Sequence, residues 1–127
     1  MIDLDHFKKI NDRFGHPAGD RVLTEVADRL RRATRRQDRI GRWGGEEFLA
    51  ILPETNAGEA AVLINRCREE LTTVRLREGE REIPVTITLS AGISDLPPSE
   101  GTIEDMIKSA DRALYRAKDE GRDRVVI

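Results

Sequence analysis

The stretch RIGRWGGEEFLAIL, residues 39–52, indicates the fold of the whole chain. Residues 39–43 and 46–52 are typical of two strands, and they are joined by Gly44 and Gly45. A two-residue glycine connection supplies the positive φ angles that a tight turn between antiparallel strands requires. The sequence therefore predicts a β-hairpin with Gly44-Gly45 at its tip.

An amphipathic helix is predicted on each side of this hairpin. The first follows residues 12–20, a segment whose two glycines and one proline favour a loop. The second begins near Asn56, a predicted N-cap, and extends to about Val74. In both, apolar residues recur at three- and four-residue steps, which places them on one helix face. The first set is Val22, Leu23, Val26, Ala27, Leu30 and Ala33, and the second is Ala60, Ile64, Cys67, Leu71 and Val74.

Further strands are predicted at both ends of the chain and in its second half. Residues 1–5 are typical of a strand, and residues 125–127 of a short edge strand. Residues 85–93 alternate apolar and polar side chains, which indicates a strand with one buried face. Residues 78–82 are predicted to form a polar turn before it.

A last helix completes the pattern and allows the fold class to be predicted. It opens at Thr102, with Asp105 three residues later as a variant of the capping box, and it ends at Gly121. The order is then strand, helix, hairpin, helix, long strand, helix and short strand. This order predicts an α+β fold of ferredoxin-like type, a sandwich in which a mainly antiparallel central sheet is flanked by helices.

Composition and charge exclude several classes of function. The chain has 127 residues, the size of one domain, and its 22 Lys and Arg against 24 Asp and Glu give a net charge of -2. A general nucleic-acid binder would be strongly basic, so no nucleic-acid partner is expected. No apolar run approaches the roughly 20 residues of a membrane helix, so this segment is not expected to insert into a membrane. The single cysteine, Cys67, excludes an internal disulfide and fits a reducing cytoplasm.

Acidic side chains occur at two places that the predicted fold can bring together. Asp3 lies where the first strand would end, and Glu46 and Glu47 follow the hairpin tip. If these strands are neighbours, Asp3 and Glu46 form an oxygen-only site suited to Mg²⁺, which takes one or two protein carboxylates together with waters and phosphates. The alternative is a solvated surface charge at each position, which is common at strand ends.

Seven short motifs occur in order along the chain. They are DLDHFKKIND at 3–12, FGH at 14–16, GD at 19–20, RWGGEEF at 42–48, SAGI at 90–93, ADRALYRAK at 110–118 and GR at 121–122. Together they closely resemble the GGDEF-domain family of diguanylate cyclases, with the signature in the form Gly-Gly-Glu-Glu-Phe. The resemblance covers residues 1–127 and implies a catalytic domain of nucleotidyl cyclase type. Its implied reaction condenses two GTP into cyclic di-GMP and two pyrophosphates.

The resemblance also implies a metal-assisted mechanism. Asp3 and Glu46 would ligate two divalent ions per active site, Mg²⁺ or Mn²⁺, with help from the main-chain carbonyl of Leu4. Glu46 or Glu47 would help to deprotonate the attacking 3′-hydroxyl. Two cations lower the pKa of a ribose hydroxyl and neutralise charge on the departing pyrophosphate. Gly44-Gly45 would let the nucleotide approach the hairpin backbone, the alternative being a tight turn alone.

Recognition of the guanine base is implied for two further residues. Asn11 and Asp20 match the guanine-reading pair of the family. A carboxylate can accept from the guanine N1 and N2 hydrogens, while an amide can both donate and accept. On pattern alone, Asn11 would be a turn or cap residue and Asp20 a helix N-cap.

Contacts to the triphosphate are implied at both ends of the chain. Lys8 would serve catalysis and phosphate binding through its ammonium group, and Phe7 would act through its backbone. His16 would lie near the substrate, although as a bare pattern it is a loop histidine. Lys118 and Arg122 would bind phosphate, but cations at a helix C-terminus are also favoured by the helix dipole.

A second ligand site is implied by Arg35 and Asp38. They fit the RxxD motif of the family, an inhibitory site for the product cyclic di-GMP, to which Arg66 would add a second arginine. Arginine suits this task because it binds guanine edges and phosphates with two parallel hydrogen bonds. The alternative is that these arginines are only the solvated positive end of a helix.

Assembly and domain context follow from the product and the resemblance. Cyclic di-GMP is twofold symmetric, so two domains must face each other, and a homodimer is expected for catalysis. The first helix usual in the family would precede Met1, as would a sensory or receiver domain. The chain is therefore expected to lack both.

Two functions of other classes remain open. A non-catalytic receptor would sense cyclic di-GMP through the RxxD arginines with an idle metal site, but the intact Asp3, Glu46 and Glu47 argue against it. A ferredoxin-like structural or RNA-binding module would need exposed aromatics on its sheet, and the chain has just three Phe, one Tyr and one Trp. A cyclase for another nucleotide is disfavoured by the guanine-reading pair.

Overall fold

The computed structural model describes residues 1–71, 73–95 and 101–127, and within these ranges it contains four helices and seven strands. In chain order they are β1 (Ile2–Leu4), α1 (Phe7–Phe14), α2 (His16–Ala33), β2 (Arg39–Gly44), β3 (Glu47–Ile51), α3 (Ala57–Glu70), β4 (Val74–Glu78), β5 (Arg81–Val85), β6 (Leu89–Gly92), α4 (Ile103–Asp119) and β7 (Val125–Val126). In the part of the chain that the structure describes, no helix combines the length and apolar character needed to cross a membrane.

The main sheet has the strand order β2-β3-β1-β6-β7. Strand β1 is central and antiparallel to both neighbours, with Asp3 opposite Glu47 on β3 and opposite Ser90 on β6. Only the pairing of β6 with β7, among the strands described, is parallel in this sheet. The first four strands in this order have the ferredoxin-like arrangement, so the predicted α+β fold with a mainly antiparallel sheet is confirmed.

Helices cover both faces of the sheet. Successive side chains of β1 point to these two faces in turn. Ile2 and Leu4 point into the larger core, which also contains buried residues of α1, α2 and α3. Met1 points to the opposite face and packs on α4. Asp3 therefore lies on the α4 side of the sheet, where a charged side chain meets the C-terminal half of that helix.

The close packing of α4 depends on Gly92 at the end of β6. A Cβ atom at Gly92 would lie 2.1 Å from the main-chain oxygen of Ala110 and 2.1 Å from the nitrogen of Leu114. No side chain fits there, so the glycine lets α4 rest directly on the strand. The helix then extends along the sheet, and Lys118, one turn after Leu114, reaches β1.

Two helix starts predicted from the sequence are confirmed in detail. The side chain of Asn56 accepts from the Glu59 amide, and the Glu59 carboxylate accepts from the Asn56 amide at 3.1 Å. Thr102 and Asp105 form the same reciprocal pair at the start of α4. Such capping boxes satisfy amide groups that the first helical turn leaves free.

Cys67 lies in the buried stripe of α3, as its helical spacing predicted. It is a free thiol with 2% of its surface exposed. Burial is the main cause that raises the pKa of this thiol above its ordinary value. Cys67 therefore behaves as a small apolar core residue.

The loop prediction for residues 12–20 is wrong. This segment is helical on both sides of Gly15, which has a φ of 85° and separates α1 from α2. Asn11 lies inside α1 and Asp20 in the second turn of α2, so their pattern-based interpretations as caps are also wrong. Helix α1 has eight residues and buries just Phe7 and Ile10, too few apolar positions to show a periodicity.

The second half of the chain also differs from the prediction. Helix α3 ends at Glu70, and residues 74–85 form the hairpin β4–β5, a separate two-stranded sheet that turns at Gly79. The predicted strand 85–93 is divided, because β5 ends at Val85 and β6 begins at Leu89. Val74 alternates with exposed neighbours as a strand residue does, although its spacing also continues the stripe of α3.

Candidate active site

Carboxylates from two strands meet at one end of the central sheet, as predicted. Asp3 is directly opposite Glu47 in the register of β1 and β3. The amide of Leu4 donates to the main-chain oxygen of Glu46 at 3.3 Å, which fixes the hairpin tip beside the end of β1. Residues 44 positions apart in the sequence thus lie side by side, as an oxygen-only site requires.

The hairpin tip lies one residue further along the chain than predicted. The register pairs Gly44 with Glu47, so the two central turn residues are Gly45 and Glu46, and Trp43 is the extra residue of a bulge. In this hairpin, which the structure describes completely, just Gly45 has a positive φ, 48°. A positive φ at the first central residue is the requirement of a type II′ turn. The bulge twists β2 and leaves no side chain at the tip before Glu46.

Asp3 is the most strongly perturbed carboxylate of the site. Its residue is 7% exposed, and its Oδ2 lies 2.9 Å from Nζ of Lys118. Burial raises the pKa of Asp3, and the neighbouring charges of Glu46 and Glu47 raise it further, while Lys118 opposes this shift without cancelling it. Burial is thus the main cause that disfavours the charged form of Asp3, and the ion pair with Lys118 compensates for it only in part.

The oxygen ligands present suit a hard cation that takes few of its ligands from the protein. In the described ranges, no three His, Cys, Asp or Glu side chains lie close enough together to hold a metal ion by themselves. The available groups are the Asp3 and Glu46 carboxylates and the Leu4 carbonyl. Mg²⁺ is commonly bound through one or two carboxylates, with waters and substrate phosphates completing its shell. The residues present therefore fit an ion that arrives with a nucleotide.

The two predicted guanine-reading residues come from neighbouring helices that touch at Gly19. A Cβ atom at Gly19 would lie 1.9 Å from Oδ1 of Asn11 and 3.0 Å from the ring of Phe7. Oδ1 of Asn11 is buried and has no hydrogen-bond partner among the described residues. Asp20 follows directly and is exposed. A free acceptor and a free carboxylate thus lie on adjacent helices.

A cavity of about 380 Å³ extends from Asp20 toward the hairpin. Leu23 and Thr24 of α2 line one side of it, and Arg42 and Phe48 of the hairpin line the other. Nε of Arg42 also donates to the main-chain oxygen of Gly45 at 2.8 Å and braces the turn. Arg42 was not among the predicted site residues, although it belongs to the RWGGEEF motif.

The remaining predicted substrate ligands differ in their exposure. Phe7 is buried in the core, so its backbone, at the start of α1, is the part left for a ligand. Lys8 and His16 are exposed. Lys118 lies in the last turn of α4 and is engaged by Asp3, whereas Arg122 lies in the turn that follows and is exposed.

The three predicted product-site residues lie together at one corner of the molecule. The amide of Arg35 donates to Oδ2 of Asp38 at 2.7 Å, and the Asp38 amide donates to the Arg35 carbonyl at 3.1 Å. Arg66 of α3 reaches the carbonyl of Ala33, at 3.4 Å. Oδ1 of Asp38 is buried without a partner among the residues that are described. Arg35 and Arg66 are exposed.

Comparison with known proteins agrees with this architecture. Residues 1–124 match the family model described as "Diguanylate cyclase, GGDEF domain". Diguanylate cyclase DgcP of Pseudomonas aeruginosa is 44% identical over 128 residues, which cover 100% of this chain and 18% of that protein. The chain spans 18% to 34% of the length of the first curated relatives that it matches.

Two solved structures show the same fold. The crystal structure of the GGDEF domain of DgcB from Caulobacter crescentus in complex with c-di-GMP has a TM-score of 0.90 and 35% identity, covering 98% of this chain and 73% of that one. The structure of the active GGEEF domain of a diguanylate cyclase from Vibrio cholerae has a TM-score of 0.87 and 37% identity, covering 99% and 78%. By sequence and by fold, the chain belongs to the GGDEF family of diguanylate cyclase domains.

Proposed function

We propose that residues 1–127 form the catalytic domain of a diguanylate cyclase, which condenses two GTP into cyclic di-GMP and two pyrophosphates. The observation that carries this proposal is the convergence of Asp3 with Glu46 and Glu47 at the hairpin tip, in a chain of the GGDEF family. The family's usual N-terminal helix and a sensory or receiver domain are proposed to lie upstream of this segment. The segment itself is proposed to be cytoplasmic, whether or not the full-length protein is anchored in a membrane upstream.

Two divalent ions, Mg²⁺ or Mn²⁺, are proposed to be held by Asp3, Glu46 and the Leu4 carbonyl. Bound there, they would supply positive charge that acidifies a ribose hydroxyl and stabilises the leaving pyrophosphate. The buried negative charge of Asp3, with the charges of Glu46 and Glu47 beside it, supports this assignment. Lys118 now neutralises part of that charge, and it is proposed to exchange Asp3 for a substrate phosphate when GTP binds.

The chain's own side chains orient the nucleotide and accept a proton. Asn11 and Asp20 are proposed to bind the guanine edge, and their placement on helices that touch at Gly19 supports this. Gly44-Gly45 lets the nucleotide approach the backbone. Glu46 or Glu47 takes the proton of the 3′-hydroxyl as its oxygen bonds to the α-phosphorus. The bond from that phosphorus to the oxygen bridging to the β-phosphate breaks, and pyrophosphate leaves.

Phosphate binding and dimerisation complete the proposal. The proposed phosphate ligands are the Phe7 backbone, Lys8, Lys118 and Arg122, with His16 near the substrate and Lys8 also assisting catalysis. Each chain would hold one GTP, and the two bonds of the symmetric product form between substrates bound to facing chains. A homodimer is therefore proposed as the active assembly.

Product inhibition is proposed at Arg35, Asp38 and Arg66. These residues lie in one corner of the fold, and Asp38 retains an oxygen without a partner in the described part of the chain. Cyclic di-GMP offers guanine edges and phosphates that suit two exposed arginines. DgcB of Caulobacter crescentus, a related GGDEF domain, has been crystallised with c-di-GMP.

The test of the cyclase is chromatography of the product formed from GTP and Mg²⁺. We expect cyclic di-GMP from GTP and none from ATP. Glu46→Gln should reduce the rate at least about 100-fold, because the amide neither accepts the proton nor carries charge for a metal. No product from the wild type, together with tight binding of added cyclic di-GMP, would favour the receptor function instead.

The test of the inhibitory site is the inhibition constant of added cyclic di-GMP. Arg35→Ala should raise this constant about tenfold or more, since a charged hydrogen bond is lost, while the initial rate without product stays near that of the wild type. Arg36→Ala is the matched control, because Arg36 is the neighbouring exposed arginine and occupies a variable position of the RxxD motif. Equal inhibition of the wild type and Arg35→Ala would contradict the assignment.

A further inference from the structure

Asp5 is a buried carboxylate to which the proposed mechanism gives no role. It follows β1 directly and is 5% exposed. Its Oδ1 accepts the hydroxyl of Ser90 at 2.7 Å, and its Oδ2 accepts the hydroxyl of Thr88 at 2.8 Å and the main-chain N–H of Asp123 at 3.1 Å. Within the described ranges, none of these donors is a cation. The carboxylate thus connects the end of β1, the start of β6 and the turn after α4.

The turn after α4 has an unfavourable backbone conformation. Gly121 has a φ of 115°, and the two residues after it, Arg122 and Asp123, have φ values of 66° and 47°. Residues other than glycine rarely occupy this left-handed region, and two in succession cost conformational free energy. Such a turn persists where surrounding contacts fix it.

Three contacts fix this turn, each from a different element. The amide of Arg122 donates to the carbonyl of Ala117 in α4 at 2.9 Å. The amide of Asp123 donates to Asp5. The side chain of Asp123 accepts from Nη1 of Arg68 in α3 at 2.8 Å. Asp5 lies two residues after Asp3 and so connects the turn to the end of β1.

Arg122 has no ion pair of its own in the parts of the chain that are described, and its side chain is exposed. The backbone of the turn therefore sets the point from which this side chain leaves the main chain. We infer that Asp5 is a positioning residue, which fixes the Arg122 guanidinium relative to the Asp3 carboxylate so that both reach one GTP triphosphate. This inference rests on the proposed function, in which Arg122 binds phosphate.

The hydrogen bonds of Asp5 support a positioning role and not a catalytic one. Both carboxylate oxygens are already used by neutral donors, so Asp5 has little capacity left for a metal or a proton. Its own amide donates to the Thr88 carbonyl at 2.9 Å, so the main chain is held at the same point. Loss of the side chain would release the turn while leaving Asp3 on its strand.

The experiment compares steady-state kinetics of the wild type, Asp5→Asn, Arg122→Ala and the double variant. Asp5→Asn should raise the KM for GTP about tenfold, the effect of losing a hydrogen bond from a charged group, and change kcat less than about threefold. In the Arg122→Ala background, the same change should raise KM less than about twofold, because the residue that it positions is absent. Amide hydrogen exchange at Asp123 should become faster in Asp5→Asn.

Thr88→Val is the matched control, since it removes a donor to the same Asp5 oxygen but leaves the bond to the turn. It should lower thermal stability while leaving KM within about twofold of the wild type. Arg68→Met is a second variant, which releases the turn from its other side and should raise KM about threefold. It keeps the inference testable if Asp5→Asn fails to fold.

The outcomes separate this inference from the proposed function. Turnover by the wild type with an unchanged KM in Asp5→Asn and Arg68→Met would overturn the positioning role alone. Equal KM increases from Asp5→Asn with and without Arg122 would also overturn it. Absence of cyclase activity in the wild type would overturn the proposed function and, with it, the role of Asp5.

Discussion

Asp3 and Asp5 lie two residues apart and face the same side of the central sheet, but their surroundings are opposite. Asp3 has one cationic partner, Lys118, and two acidic neighbours, and burial raises its pKa. Asp5 has three hydrogen-bond donors and contacts no cation among the described residues. One carboxylate is poorly compensated, and the other is fully satisfied.

The surroundings of these two side chains distinguish a candidate functional carboxylate from a structural one. Burying a charge is costly unless hydrogen bonds or opposite charges compensate for it. Asp5 has this compensation, so it contributes to the fold. Asp3 lacks part of it, so its negative charge remains available for a ligand. Burial alone does not separate the two, because both residues are less than a tenth exposed.

Substitution of Asp3 should change the rate of the reaction more than any other substitution in this comparison. Asp3→Asn should reduce the rate of cyclic di-GMP formation about a thousandfold, because the amide cannot replace a charged metal ligand. The free energy of unfolding should change by less than about 1 kcal/mol, since the lost attraction of Lys118 is offset by the lost cost of burying a charge. Initial rates and urea unfolding measure the two effects. Formation of cyclic di-GMP by Asp3→Asn at the wild-type rate would contradict the proposed difference between Asp3 and Asp5.

The next largest effect is on stability at Asp5. Asp5→Ala should lower the free energy of unfolding by about 3 kcal/mol, because three donors lose their buried acceptor. Asp3→Ala is the control and should cost less than about 1 kcal/mol, for the reason given for the asparagine variant. Urea unfolding of both proteins gives the comparison. If both variants lose the same free energy of unfolding, the three hydrogen bonds of Asp5 do not stabilise the fold.

The smallest effect is a pH dependence confined to Asp3. Because its pKa in the folded protein is raised above the ordinary value of 3.8, the folded state keeps this proton to higher pH than the unfolded chain does. The stabilising contribution is therefore complete below pH 3.8 and lost as the pH rises through the raised pKa. In metal-free solution, the stability of Asp3→Asn relative to the wild type should increase over that window. A constant difference would show that Lys118 compensates Asp3 fully.

Local patterns predicted much of this fold. The first hairpin, the N-cap at Asn56, the capping box at Thr102, the long α2 and α4 helices and the short β7 strand were recognised because each depends on neighbours in the sequence. The hairpin β4–β5 was not recognised, since Val74 and Leu71 continue the helical spacing of α3. At Val74, tertiary packing favours the two-residue period of a strand over the 3.6-residue period of a helix.

The membership of the candidate site stays a prediction, and several contacts within it could not be predicted from the sequence. The motifs predicted Asp3 as a metal ligand and Lys118 as a phosphate ligand. That these two form an ion pair depends on how α4 rests on β6 at Gly92, which no local pattern shows. The role of Asp5 depends on a turn 118 residues away in the sequence. Long-range pairings of this kind require the folded structure.

The buried thiol of Cys67 provides a natural probe for local opening of the core. No other cysteine occurs in the 127 residues, and this one lies within α3 with 2% of its surface exposed. A thiol reagent reaches it when α3 separates from the sheet, so the labelling rate measures the frequency of that opening. Comparing the rate with and without nucleotide would show whether ligand binding at the sheet end tightens the opposite side of the domain.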